Sequence, residues 1–148
     1  MGVLYSVIPL DKEARDWLSD EGIAAPDSDS RSPTPNELKA ILEMIESLSI
    51  TYNIRPGIWQ AQIENRDSPE FGPWTMLHVR HYENSGDEPC EFYFSKGCPE
   101  LIVRTVFRIS KTCGPFLVVP DTGCAPVIVH ENSDLEKQIA SWEHMRYG

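Results

Sequence analysis

Residues 59–64 read Trp59-Gln60-Ala61-Gln62-Ile63-Glu64, apolar and polar side chains in strict alternation. A period of two is what a strand with one buried and one wet face requires, because successive side chains leave the backbone on opposite sides. Two similar stretches follow, TMLHVRHY at 75–82 and EFYFS at 91–95, separated by the turn-forming segments NRDSPEFGP and ENSGDEP. Three short strands joined by polar turns predict an antiparallel meander.

Upstream, VLYSVI at 3–8 is apolar and β-prone and stops at Pro9. Asp11 is placed to cap a helix over 11–21, with Ala14, Trp17 and Leu18 at helical spacing and Gly22 as its stop. Residues 24–35, AAPDSDSRSPTP, carry three prolines and no large apolar side chain, which predicts a flexible loop. Thr34-Pro35-Asn36-Glu37 then forms a capping box with Pro at the first helical position, and Leu38, Ile41, Leu42, Ile45 and Leu48 predict a helix over 35–48. Downstream, Cys98-Pro99-Glu100 opens a second helix that runs to Cys113 and closes at Gly114-Pro115. Its many β-branched residues require stabilisation by burial. Strands at 116–119 and 126–129 follow, then a capping box at Ser133-Asp134-Leu135-Glu136 and a helix carrying Leu135, Ile139 and Trp142. Strands cluster rather than alternate with helices. The expectation is one α+β domain over 1–148, with a mainly antiparallel sheet of about five to six strands and three to four helices mostly on one face.

The chain of 148 residues has 23 acidic against 13 basic residues, a formal charge of −10. That composition argues against nucleic-acid binding, which needs clustered Lys and Arg, and against docking on anionic membranes. It favours a basic protein partner. The start, MGVLYSVIPLDKE, has no basic stretch and no apolar run of signal length, and no segment approaches the ~20 apolar residues of a membrane span. The expected location is the cytoplasm. Cys90, Cys98, Cys113 and Cys124 form no C-x-x-C pair and have no His at ligand spacing, so neither a metal nor a cofactor is expected. Reduced, partly buried thiols are the reading, with a Cys113–Cys124 bridge the less favoured option.

Asp121-Thr122-Gly123 is the tripeptide that carries the catalytic aspartate of aspartic proteases, and the chain resembles the dimeric retroviral type in size. The likeness covers three residues. Pro120 precedes the Asp, Cys124 follows the Gly, and only 25 residues remain after Gly123, the last dozen helical in pattern. The flap and closing strands of that family have no room. Pro-Asp-Thr-Gly between two apolar runs is turn chemistry.

His78 and His81, three apart on a strand, point to opposite faces and do not chelate. Arg104, Arg108 and Lys111 make a basic stripe on one helix, read as pairing with acidic neighbours. The informative pattern is acidic: 83–91 holds four acids and no base, close in sequence to aromatic residues. Rings supply anchors and carboxylates supply steering for a basic partner. The expected partner-binding residues are Trp59, Phe71, Trp74, Tyr82, Glu83, Asp87, Glu88 and Glu91, with no catalytic group. The leading reading is a small acidic interaction protein of the inhibitor or immunity type, neutralising a basic toxin such as a nuclease. It is more a binding protein than an enzyme, and a homodimer is among the expected assemblies. The alternative is a small-ligand-binding or hydrolytic domain with a pocket near Asp121, His78, His81 and Arg104.

Overall fold

The computed structural model describes residues 3–66, 74–83, 85–122 and 125–142. In chain order the elements are β1 (Leu4–Pro9), α1 (Lys12–Asp20), α2 (Pro35–Glu43), β2 (Leu48–Arg55), β3 (Ile58–Asn65), β4 (Trp74–Val79), β5 (Phe92–Ser95), α3 (Pro99–Cys113), β6 (Phe116–Pro120), β7 (Val127–Val129) and α4 (Leu135–Ser141). The strands form one seven-stranded sheet in the order β2-β3-β4-β5-β1-β6-β7, and every neighbouring pair is antiparallel. The α+β reading and the meander hold.

The alternation at 59–64 works as its pattern requires. Trp59, Ala61 and Ile63 are buried, while Gln60, Gln62 and Glu64 lie half-exposed on the other side. The buried face meets α2, α3 and α4 through Leu38, Leu42, Ile102, Val106, Ile109 and Trp142. Each such side chain contributes about 1.5–3 kcal/mol by leaving water. Nine of the fifteen residues of α3 are buried, which is how a helix rich in Val, Ile and Thr is stable here. α1 lies apart: Leu10, Ala14 and Leu18 pack on Leu117, whose neighbours Phe116 and Val118 point into the main core. α1 therefore covers the opposite face of the sheet at its β6 end.

The sheet has one strand more than expected, and the difference lies at 44–55. The predicted helix over 35–48 ends at Glu43, with Met44 as C-cap. Ile45 and Leu48 close a turn, and β2 then pairs with β3 along its whole length. Ile50, Tyr52 and Ile54 alternate with Thr51, Asn53 and Arg55, and Pro56-Gly57 makes the hairpin turn, Gly57 taking a φ of 80° that favours glycine. β4 is also shorter than the strand expected over 75–82. It stops at Val79, and His81 sits beyond it in a left-handed turn with φ 54°.

Residues 24–34 have no helix or strand, as the composition of the 24–35 loop implies, Pro35 opens α2, and the loop is tied to the fold at several points. Arg15 pairs with Asp29 at 2.5 Å, the Leu10 N–H donates to the Ser30 hydroxyl, and the Arg31 N–H donates to the Cys113 carbonyl at 2.9 Å. The Arg31 guanidinium forks onto Glu37 at 2.8 and 2.7 Å. Glu37 also closes the capping box with Thr34, accepting from its N–H at 3.0 Å while the Thr34 hydroxyl accepts from the Glu37 N–H at 3.1 Å.

Candidate functional site

β4 and β5 are joined by the acidic segment 80–91. The segment is shut at its base by the Arg80 N–H donating to the Glu91 carbonyl at 2.9 Å. Its tip is fastened to the start of α2. The Asn36 N–H donates to the Gly86 carbonyl at 3.1 Å, and the Asn36 side-chain amide donates to Asp87 Oδ1 at 2.9 Å. The Cys90 N–H and thiol both reach the Pro33 carbonyl, at 2.9 and 3.2 Å. A Cβ on Gly86 would fall 2.2 Å from Asn36 Oδ1, so the absence of a side chain permits this close approach. Burial, first of all, pushes the Cys90 thiol up to about 12, which keeps it protonated and structural.

Between the segment and α2 lies a cleft of about 350 Å³. Tyr82, Glu83, Glu88 and Glu91 line it together with Arg80, His81 and Pro35. Three acidic residues, Glu83, Glu88 and Glu91, line it against one arginine, so the lining is net negative. Four of the eight expected partner-binding residues thus share one site. Asp87 lies on the same segment, but its carboxylate is engaged by Asn36. Trp74 is 38% exposed and stands at the other end of β4, about 20 Å from Arg80 along a six-residue strand. Trp59 corrects the expectation: at 3% exposure it is a core residue, edge-on to Tyr52 at 6.0 Å, because period-two alternation turns it inward. Phe71 lies outside the described residues.

The residues of the alternative site lie on different elements, His78 on β4, Arg104 on α3 and Asp121 just after β6. Asp121 follows the last residue of β6, and there its carboxylate accepts from the Leu4 N–H at 3.1 Å and its own N–H donates to the Leu4 carbonyl at 2.9 Å. It holds the start of β1 against β6, as turn chemistry implies; Gly123 and Cys124 lie outside the described residues. Arg104 pairs with Glu100 at 3.2 Å and Glu136 at 2.5 Å, and Lys111 lies 4.9 Å from the Phe107 ring centre. His81 is in the acidic cleft, on a different element from Asp121. Among the described residues no group of three or more His, Cys, Asp or Glu side chains is arranged to hold a metal ion, and no helix is long and apolar enough to cross a membrane.

One arrangement escaped the sequence. On the face of the sheet away from α2, α3 and α4, His78 Nε2 lies 2.7 Å from the Ser95 hydroxyl. The imidazole stacks on Tyr93 with centroids 4.7 Å apart at 9°, and the Arg80 guanidinium lies 4.5 Å from the centre of the Tyr93 ring. Burial lowers the His78 pKa and keeps the ring neutral at pH 7. His78 faces Tyr93 across the ladder and Ser95 is its diagonal neighbour. Only the strand register reveals the pair, and seventeen residues of sequence separate its members. No known protein family, curated protein or solved structure matches the chain.

Proposed function

We propose that the chain is an acidic interaction domain whose 80–91 cleft receives a Lys or Arg side chain of a basic protein, in the manner of an inhibitor or immunity protein that neutralises a basic toxin such as a nuclease. The observation that carries this reading is the convergence of Glu83, Glu88 and Glu91 on one cleft whose walls are fastened to the start of α2. A binding site that is already ordered loses little entropy on association. The surrounding charge of −10 steers a cationic partner, and such steering acts mainly on the rate of encounter and its dependence on salt. Tyr82 supplies apolar area for the methylene stem of the incoming side chain.

The test uses the chain as bait in lysate of its source, beside a bait carrying Glu83→Gln, Glu88→Gln and Glu91→Gln. A basic protein retained by the wild type at low salt, released by a salt step and lost from the variant supports the reading. With that protein purified, the variant should associate at least about tenfold more slowly at low salt. Equal capture by both baits rejects the cleft as the binding site.

The Ser95–His78 contact is the one observation favouring a hydrolytic domain, since a neutral His at 2.7 Å is placed to accept the serine proton. A fluorophosphonate probe that labels Ser95, and fails to label Ser95→Ala and His78→Ala, would support it. Absence of labelling in the wild type rejects it.

A further inference from the structure

The two edges of the sheet are unequal. β7 is three residues long, whereas β2 is eight and, among the described residues, has a strand on one side only. Its sequence, LSITYNIR, has no Pro, Gly or Lys to blunt it, and it pairs with β3 over its full length without a bulge. A long, regular edge offers its free backbone N–H and C=O groups to another strand. Two exposed apolar side chains lie beside it. Met44, at the end of α2, is 77% exposed and Ile54 is 39% exposed. A cleft of about 640 Å³ between α2 and β2 is lined by Leu42, Ile45, Ile50 and Tyr52, with Glu43 and Glu46 beside them. The Tyr52 hydroxyl is buried there with no hydrogen-bond partner among the described residues.

We infer that this edge is where two copies of the chain associate, β2 pairing antiparallel with β2 of the second copy so that the two sheets run into one. The strand itself argues for a second copy as the occupant. Residues that face each other across a two-fold axis must lie on the same side of the sheet, so the axis passes through a residue and not between two. Centred on Thr51, the pairing sets Leu48 against Ile54 and Ile50 against Tyr52 on the helix side, and Ser49 against Asn53 on the other. It also brings Arg55 beside Ser47 and Glu46 of the second copy, a pairing of opposite charges. Centred on Tyr52, it would bring Pro56 against Leu48, where Pro has no N–H to give. Eight residues span about 26 Å, and with the α2 layer about 20 Å deep the contact covers roughly 500 Å² per copy. That is below the ~800 Å² per partner of a standard stable interface, so the dimer is a weak one that depends on concentration.

The test is the mass in solution from about 10 μM to about 0.5 mM, by light scattering after size exclusion and by sedimentation equilibrium. The wild type should rise from 16.8 kDa towards twice that value. Thr51→Lys and Thr51→Glu each set like charges directly opposite at the axis and should weaken the dimer at least about tenfold. Thr51 is exposed, so both variants should keep the wild-type circular dichroism. Mixed in equal amounts, they should dimerise again, Lys facing Glu. A wild type that stays at 16.8 kDa at the top concentration overturns the inference. So do variants that dimerise like the wild type, or a mixture that stays monomeric. None of these outcomes bears on the 80–91 cleft, which shares no lining residue with the cleft at this edge.

Discussion

Replacing Glu37 by Gln keeps the size of a side chain and removes the charge on which the start of α2 is built. In the folded chain this carboxylate accepts from both Arg31 Nη atoms and from the Thr34 N–H. The Arg31 hydrogen bond first, and the Thr34 N–H next, hold its pKa at about 2 against an ordinary 4.5. Taken whole, a difference of that size is worth about 3.4 kcal/mol at 1.36 kcal/mol per pH unit. The Arg31 side chain is 53% exposed, so solvent screens much of it, and about 1–2 kcal/mol is the expected loss. For a domain of this size that lowers Tm by roughly 2–8 °C. The sign follows from the depressed pKa: the stabilisation is complete above pH 4.5 and disappears as the pH falls through about 2. Thermal unfolding of wild type and Glu37→Gln, followed by circular dichroism, should show the full gap at pH 7, a shrinking gap below pH 4.5, and almost none near pH 2. A gap that is absent at pH 7, or unchanged near pH 2, would refute the role given to this carboxylate.

Gly97 has a φ of 89°, and a Cβ there would stand 1.8 Å from the Trp74 carbonyl oxygen, so Gly97→Ala should cost more than ~3 kcal/mol and leave little folded protein, as read by denaturant unfolding. Trp59→Ala should cost about 3–5 kcal/mol because the ring is in the core, whereas Trp74→Ala should cost under ~1 kcal/mol, and equal losses in urea unfolding would contradict the faces assigned to β3 and β4. The Cys90 thiol, pushed up to about 12, should not react with a disulfide reagent at pH 8 in the folded chain; Cys90→Ser should leave the number of fast-reacting thiols unchanged, and a loss of one would place a thiolate at that position.

Local signals carried most of the fold. The alternation at 59–64, the capping box at Thr34–Glu37 and the Pro-led start of α3 each depend on neighbours a few residues away, and each is realised at its place. The stretch that misled is 44–55. Leu48 falls at helical spacing from Ile41 and Ile45, so the apolar stripe runs on past Met44, and it conceals the period-two pattern of Ile50, Tyr52 and Ile54 that the β3 ladder stabilises. The acidic segment was legible as charge, yet composition does not say which carboxylates face a cleft. Asp87 is engaged by Asn36, fifty-one residues away in sequence, and Trp59 is buried by a strand parity that adjacency to an acidic loop does not express. The Ser95–His78 contact needs the β4–β5 register and was beyond any local pattern.

The central claim, that the 80–91 cleft is a receptor for a cationic side chain, is tested most directly by nuclear magnetic resonance. A short Lys-rich peptide is titrated into isotopically labelled protein while amide shifts are followed. Shifts should concentrate at 80–91 and at Pro35-flanking residues of α2, fade on raising NaCl to about 0.5 M, and vanish in the Glu83→Gln, Glu88→Gln, Glu91→Gln variant. Shifts spread evenly over the acidic surface, or unchanged in that variant, would contradict it.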